Sequence, residues 1–451
     1  GSGLLNMYAQ YFHFPYMSYS YSYDVMILAV GFCALAATGG TWIAMRQAAT
    51  LPPAEAMREE APTEFKRTIL ERLNIDQFFS FLSRIILRQL ERRPIRAFLS
   101  ALGVGFALSI LVFAFFMEDS MDYMMDVQYD VSQREDLMLS FVEPRHIKAL
   151  EEIRLMPGVM NVEPIRSVPV ELRHQYLSKR TSIMGIMPDP DLHRVLDQNL
   201  QQVAITKGGF ILSKKLAEIL NVKVGDVVIA DVLEERRPVL ELPVTAIYEE
   251  FMGLGAIMDI ERLNAYLNEG PVVSGAAVMV DPNYNGPLYK NIKEIPSIIG
   301  MANMSRMREI FEELMDQNML QMMAVYIIFA GLIAFGVIYN TARIAFSERS
   351  RELASLRVLG LTRFEVAYIL FGELAAVVFV AIPLGIYIGY GMVAGMVASL
   401  DTELFRMPLV INSDTYGFAV IIVLVSALFS FYLVWRQVDN IDLIAAQKGV
   451  E

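Results

Sequence analysis

Residues 347–366 read SERSRELASLRVLGLTRFEV, and this charged stretch lies between two long apolar runs. Arginines are concentrated in it and just before it, at Arg343, Arg349, Arg351, Arg357 and Arg363. By the positive-inside rule, such a concentration of cations places the stretch on the cytoplasmic side of a membrane, with membrane spans on either side. A polar helix held between two spans is suited to transmitting force. The alternative is a solvated loop whose arginines only set the topology.

The composition excludes an ordinary soluble protein. Of 451 residues, 55% are hydrophobic and 20% are charged, and the mean hydropathy is +0.40, which together indicate membrane spans and a sizeable polar domain. Residues 118–317 hold 32 acidic and 20 basic side chains, an excess of 12 that equals the net charge of -12. An acidic exposed domain argues against nucleic-acid binding, because a phosphate-binding surface needs a basic stripe.

The apolar runs and the polar stretch between them predict an α-helical membrane protein with a large two-lobed α+β extracytoplasmic domain carried on stalk helices. A span at 364–400 is too long for a simple crossing unless it is tilted, bent near Pro383 or extended beyond the bilayer. The predicted segments begin with the end of a first repeat, 1–46, with its last span at 24–45, followed by a cytoplasmic linker with an amphipathic entry helix, 47–96. They continue with a span 97–117, the outer domain with its stalks 118–317, a span 318–342, the charged helix 343–363, the span 364–400, an outer loop 401–415, a span 416–435 and a cytoplasmic tail 436–451.

Within the outer domain, alternating patterns predict strands and short helices. The two stalks are expected at 118–133 and 305–316, where polar helical patterns adjoin the spans. The first predicted strands are 137–142, 162–172 and 181–186, and the predicted helices include 144–155, 191–197 and 287–295.

The beginning of the chain is similar to its end. Phe14-Pro15 corresponds to Met407-Pro408, Arg46-Gln47 corresponds to Arg436-Gln437, and Trp42 and Trp435 mark the ends of corresponding spans. We therefore expect residues 1–46 to be the end of an earlier repeat whose remaining part lies upstream. Chance similarity between two apolar segments is the alternative.

The order of these segments resembles an FtsX-like permease of the MacB type, the mechanotransmission class of ABC systems, in a two-repeat form. The charged helix, residues 343–363, is called the coupling segment below, because it is similar to the coupling helix of that family. The family pattern is Arg-x-Arg-Glu-(apolar)-x-x-Leu-Arg-x-(apolar)-Gly, and the matching residues are Arg349, Arg351, Glu352, Leu356, Arg357, Leu359 and Gly360. The stretch 90–96, LERRPIR, followed by Leu99 and Gly103, is similar to the entry helix of that family.

The resemblance implies a non-catalytic permease subunit in a bacterial inner membrane, with the large domain in the periplasm. A separate cytoplasmic ATPase, in two copies, would bind ATP, and this chain would hold no cofactor. The movement of the outer domain would export or extract hydrophobic or peptidic cargo. Further partners would be membrane lipid, the upstream repeat as a pseudo-dimer half, and a periplasmic adaptor or lipoprotein. The residues expected to contact the ATPase are Glu348, Arg351, Glu352, Ser355, Leu356, Arg357, Leu359 and Gly360, with Gly360 closing the helix.

Two other functional classes remain as alternatives. A signalling or scaffold protein would relay the ATPase state to a periplasmic enzyme, as FtsX itself is thought to do, and would move no cargo. A secondary transporter would need several charged residues at the middle of the membrane, and only Glu373 comes near that requirement.

Other candidates are weaker. The pairs Gly385/Gly389 and Gly391/Gly395 each place glycines four residues apart, which lets another helix approach closely. Glu373 is costly to bury in a membrane, so it either has a function there or reaches the interface. There is no P-loop motif and no Gly-x-Ser-x-Gly, and the histidines have no metal-ligand spacing, so metal, cofactor and catalytic residues are predicted to be absent from this chain.

Overall fold

The computed structural model describes residues 22–50, 81–92, 94–234, 236–358, 360, 362–400, 402–403 and 405–439. It separates the chain into two units, 1–75 and 76–451. In the first unit, helix α1 (Tyr23–Thr50) contains the predicted span at 24–45.

The described part of the second unit begins with long helices. These are α2 (Phe81–Arg92), α3 (Pro94–Met125) continued by a π-helix (Asp126–Ser132), and, after the outer domain, α8 (Met304–Val358), α9 (Arg363–Ser399) and α10 (Ser413–Asp439). In the described residues, five helical stretches are long and apolar enough to cross a membrane, namely 23–42, 94–132, 320–347, 364–399 and 413–436. The exact span boundaries within these helices stay a prediction.

Helix α8 is continuous through three segments that the sequence analysis gives separate bounds: the second stalk, a span and the coupling segment. It runs without a break for 55 residues, a length of about 80 Å, and contains the second stalk, the third span and most of the coupling segment. No proline lies between Met304 and Val358, so no residue forces the helix to stop where its polarity changes. The polar stretches within it therefore continue the helix and do not end it.

Helix α9 has a well-defined start. The Thr362 hydroxyl accepts a hydrogen bond from the Glu365 N–H, and the Glu365 carboxylate accepts one from the Thr362 N–H at 2.7 Å, which together form a capping box. The helix then continues through Pro383 to Ser399. The long apolar run 364–400 is thus one helix.

The outer domain is built on nine strands among the described residues. They are β1 (Leu137–His146), β2 (Val159–His174), β3 (Leu177–Ile186), β4 (Phe210–Ser213), β5 (Val227–Val232), β6 (Val239–Tyr248), β7 (Gly255–Asp259), β8 (Val272–Val280) and β9 (Ile298–Asn303). The short helices between them are α4 (Ala149–Arg154), α5 (Lys214–Leu220), α6 (Ile260–Tyr266) and α7 (Asn285–Lys293).

Strand β2 divides the domain into two lobes. Its first half pairs with β8 in the antiparallel sheet β2-β8-β1-β9, called the first lobe, which α4 and α7 cover. Its second half pairs with both β3 and β5, and this closes the ring β2-β3-β7-β4-β6-β5 into a small barrel, called the barrel lobe. The predicted fold class, apolar helices with a two-lobed α+β domain, is confirmed.

Two predicted helices of the outer domain are wrong. The helix expected at 144–155 is shorter, because β1 continues through His146 and α4 covers only Ala149–Arg154. Residues 191–197 form no helix. The backbone N–H groups of Asp191 and Leu192 instead donate to the Glu163 carboxylate at 2.8 and 3.2 Å, so the distant β2 strand fixes this loop.

Candidate functional site

The predicted ATPase-contacting positions lie at the end of α8. Positions 348, 351, 352, 355, 356 and 357 are all helical, and helical spacing puts 348, 352 and 355 on one stripe. The side chains from Glu348 to Leu359 lie outside the described part of the structure, as does the whole of residue Leu359. Their contacts with an ATPase remain a prediction.

A tight turn follows the coupling helix. Helix α8 ends at Val358, Gly360 has a φ of +103°, and α9 begins at Arg363. A side chain at position 360 would be strained, because L-residues rarely adopt this φ. Glycine therefore allows the chain to turn between α8 and α9.

A shared core joins the three long helices near the start of the coupling segment. Ala342 and Ala345 of α8, Leu370 and Leu374 of α9, and Val434 of α10 are buried together. Phe371 stacks on Trp435 with ring centroids 5.8 Å apart. A displacement of the coupling segment would therefore reach α9 and α10 through packed side chains.

The amphipathic helix α2 contacts α9 at a glycine that sequence reasoning missed. A Cβ added at Gly372 would lie 2.3 Å from Cδ1 of Ile86, which is buried. Any larger residue at position 372 would force the Ile86 side chain to move. A single glycine in an apolar run gives no signal of such a contact, because it lacks the four-residue spacing of a glycine pair. The neighbouring Glu373 is half-buried.

The two predicted glycine pairs have different surroundings. A Cβ at Gly385 would lie 2.7 Å from the carbonyl oxygen of Gly105, and one at Gly389 would lie 3.0 Å from Cβ of Val112, so α9 crosses α3 at backbone contact. No described residue comes within 4 Å of a Cβ built at Gly391 or Gly395.

A buried polar junction links the first stalk to the barrel lobe. The His193 Nδ1 lies 3.2 Å from Oε1 of Glu135, which is two residues before β1, and both side chains are buried. The Tyr248 hydroxyl donates to Oε2 of Glu250 at 2.8 Å, and the Gly255 N–H donates to the same oxygen at 2.9 Å. Sequence reasoning tested the histidines only for metal-ligand spacing, so it missed this junction.

The surroundings in this junction shift the pKa values of His193, Tyr248 and Glu250. Burial by itself would lower the pKa of His193, but the hydrogen bond that its imidazole donates to Glu135 and the charges of Glu135, Glu250 and Glu163 outweigh it and raise the pKa. Burial raises the pKa of Glu250 and raises that of Tyr248 well above its usual value. The imidazolium of His193 is therefore a stabilising counter-charge for the surrounding acids.

Comparison with known families identifies the membrane part of the molecule. Residues 324–443, which contain the coupling segment, α9 and α10, match the family model described as FtsX-like permease C-terminal. The match spans 120 of the 451 residues, and these residues are similar to that domain. With five helical stretches long and apolar enough to cross a membrane among the described residues, the chain is a membrane protein.

Solved structures similar to the outer domain were also found. One is the extracellular domain of the noncanonical ABC-type transporter YknZ from Gram-positive bacteria, with 14% identity, a TM-score of 0.28, and coverage of 36% of this chain and 98% of that one. Another is the periplasmic region of MacB from Actinobacillus actinomycetemcomitans, with 13% identity, a TM-score of 0.27, and coverage of 39% and 92% respectively. No curated protein matches the chain.

Proposed function

We propose that this chain is the permease subunit of a bacterial inner-membrane ABC transporter, and that it couples ATP hydrolysis by a separate cytoplasmic ATPase to movement of a periplasmic domain. The observation that carries the proposal is the continuity of α8 from the outer domain to the coupling segment. A helix about 80 Å long holds its two ends in a fixed relation through its hydrogen-bond ladder, so a push at one end displaces the other.

The outer end of α8 is attached firmly to the first lobe. The helix follows β9 directly, and the Met304 N–H donates to the Asp136 carbonyl oxygen at 2.8 Å. The Ser305 hydroxyl donates to Oδ1 of Asp136, whose Oδ2 accepts from the Val280 N–H, both at 2.8 Å. Asp136 therefore joins α8 to β8 in the first lobe.

The two stalks are also joined to each other. Arg308 of α8 forms ion pairs with Asp130 and, at 3.6 Å, with Asp126 of the π-helix that ends the first stalk. Movement of α8 would thus carry both stalks.

At the cytoplasmic end, Glu348, Arg351, Glu352, Ser355 and Arg357 would supply a polar face to the ATPase, with Leu356 and Leu359 as an apolar ridge. Two ATPase copies would serve this helix and its counterpart in the upstream repeat. Gly391 and Gly395, which have no packing partner among the described residues, would pack against that repeat. The cargo would be hydrophobic or peptidic, with a periplasmic adaptor or lipoprotein as a further partner.

Charge reversal at the coupling segment tests this proposal. In proteoliposomes containing the chain and its ATPase, Arg351→Glu combined with Glu352→Arg should leave membrane insertion intact and abolish the stimulation of ATPase activity. The matched control is Lys207→Glu with Glu261→Lys, an exposed ion pair of the outer domain, which should leave stimulation unchanged. Unchanged stimulation in the coupling variant would contradict the proposal. Cargo movement in the same vesicles separates a transporter from a signalling or scaffold protein.

A further inference from the structure

The loop between α9 and α10 contacts the outer domain. Its described residues within 402–412, called the strap below, lie between the barrel lobe on one side and α3 on the other. We infer that the strap is a second path of force, which ties the α9–α10 hairpin to the barrel lobe, with Arg406 as its positioning residue. This inference rests on the proposed function, since it assigns a route to the movement that the ATPase would drive.

The strap pairs with the segment that joins β6 to β7 in the barrel. The Arg406 N–H donates to the Phe251 carbonyl oxygen at 3.0 Å, and Nη2 of Arg406 donates to the Gly253 carbonyl oxygen at 2.9 Å. Phe405 forms an antiparallel bridge with Met252. Backbone pairing of this kind fixes both position and register.

An ion pair extends this contact to another strand. Lys179 of β3 pairs with Glu403 of the strap. Because β3 and the β6–β7 segment belong to the same closed ring of strands, the strap is attached to the barrel at two places.

The other side of the strap is attached to α3. The Ser120 hydroxyl donates to the Pro408 carbonyl oxygen at 2.7 Å, and the Asp119 carboxylate accepts from the Asn412 N–H at 2.8 Å and from the Thr415 hydroxyl at 2.6 Å. Met407 is buried against Phe116 of α3 and Val393 of α9 in a small apolar cluster. Since Gly385 already holds α9 against α3, the strap extends a packed body from these helices to the barrel.

Arg406 sits at the centre of this attachment. Its positive charge lowers the pKa of Glu250, in opposition to the larger effect of burial, so it lies close enough to act on the buried junction around His193. Its Nε and Nη1 atoms are buried and have no direct hydrogen-bond partner among the described residues. A short side chain at 406 would leave Glu250 without this counter-charge and the Gly253 carbonyl without its donor.

The two lobes are therefore attached to the membrane helices in different ways. The first lobe is attached at the outer ends of both stalks, where the π-helix that continues α3 leads to β1 and β9 leads to α8, whereas the barrel lobe is attached to the α9–α10 hairpin through the strap. A shift of α8 relative to α9 would move one lobe against the other, and the strap would determine how much of that shift reaches the barrel.

The experiment measures the distance between the lobes in the reconstituted complex with its ATPase. In a Cys33→Ala background, spin labels at Leu155→Cys of the first lobe and Tyr176→Cys of the barrel, both highly exposed at 84% and 86%, report the distance with and without ATP. Arg406→Ala should lose at least half of the ATP-dependent change while the ATPase stays stimulated. Arg262→Ala, an exposed barrel arginine, is the control and should keep the full change.

A full-sized distance change in Arg406→Ala would overturn the inference. If that variant does not fold, a second pair of variants tests the same attachment. Lys179→Glu should reduce the ATP-dependent distance change, and the double swap Lys179→Glu with Glu403→Lys should restore it. The absence of either effect also overturns the inference. If the proposed function itself is wrong, the result is different: the wild-type chain does not stimulate the ATPase, and the distance between its two spin labels does not depend on ATP.

A cross-link tests whether the strap stays attached during the cycle. A disulfide between Met252→Cys and Phe405→Cys should leave the ATP-dependent distance change and the ATPase stimulation as in the reduced form. Loss of the change on oxidation and its return on reduction would mean that the strap must detach, which contradicts a fixed path of force.

Discussion

The first lobe and the barrel lobe are attached to the membrane helices in different ways. The first lobe is continuous with a helix, since β9 leads directly into α8, and one carboxylate, Asp136, secures the joint. The barrel lobe is held by contacts between distant segments, through the strap, where Arg406 and Gly253 are 153 residues apart, and through the pair of His193 with Glu135, which are 58 residues apart. The comparison teaches that one attachment includes a direct connection of the chain, whereas the other depends on pairings between residues that are distant in the chain.

The largest loss of stability is expected from a substitution at the point where the two lobes meet. Arg166 is 1% exposed, lies where β2 passes from the first lobe into the barrel, and forms ion pairs with Glu234 and Glu269, each at 3.3 Å. Arg166→Ala should reduce the free energy of unfolding of the outer domain by about 3 kcal/mol, near the lower end for a broken buried ion pair because both carboxylates are partly hydrated.

Chemical denaturation of the chain in detergent, followed by the near-ultraviolet circular dichroism of the outer domain, measures this effect. The matched control is Arg154→Ala, which removes an exposed ion pair of α4 and should change stability by less than about 0.5 kcal/mol. Equal effects of the two substitutions would mean that Arg166 does not join the lobes.

A smaller effect is expected at the attachment of the first lobe. Asp136→Ala removes the acceptor of the Val280 N–H and of the Ser305 hydroxyl, which should cost about 2 kcal/mol. Hydrogen exchange should accelerate in β8 and in the first turn of α8, while the barrel strands keep their protection. Ser305→Ala, which removes one of the two hydrogen bonds, should give less than half of the effect. Faster exchange throughout the barrel would show that the two attachments are not independent.

The smallest effect is a dependence of the barrel attachment on pH. Because the folded-state pKa of His193 is raised, its imidazolium contributes stability that is fully present below the ordinary pKa of about 6.5 and is lost as the pH rises through the raised value. Glu250 acts in the same direction at lower pH, since burial raises its pKa and its ionisation then costs stability. The melting temperature of the chain in nanodiscs should therefore be higher at pH 6 than at pH 8.

Substitution of the histidine identifies the source of this pH dependence. The groups that face His193 are Glu135, Glu163 and Glu250. His193→Gln should have a lower melting temperature at pH 6 and a smaller difference between pH 6 and pH 8. The distant His174→Gln should keep the full difference. A difference of wild-type size in His193→Gln would assign the pH effect to other groups.

The sequence predicts features that depend on neighbouring residues. The long apolar runs follow from a local pattern, and the described structure has them as long helices. The structure adds a positive φ at Gly360 and a close approach to α3 at Gly385, two glycines that the sequence singles out. The continuity of α8 was missed because its changes of polarity were interpreted as boundaries, although polarity alone does not break a helix.

The features that the sequence did not predict depend on distant residues. Residues 191–197 have a helical pattern, but Glu163 of β2 binds the backbone N–H groups that would start the helix. The closure of the barrel depends on β2 pairing with β5, about sixty residues further on, and periodicity within a strand does not specify its partners. The roles of Arg351 and Glu352 stay predictions, because they concern contacts with another chain.

The unbroken helix α8 has one further consequence, which concerns rotation. Each residue of an α-helix turns the chain by about 100° and advances it by about 1.5 Å, so the length of α8 sets the angle between the first lobe and the coupling segment as well as the distance. One inserted residue would turn the lobe to face another direction, whereas seven, close to two full turns, would leave a difference of only about 20°. The number of residues between Ser305, which binds Asp136, and the turn at Gly360 therefore sets two quantities. It sets the distance between the first lobe and the coupling segment, and it sets the angle by which one is rotated about the helix axis relative to the other.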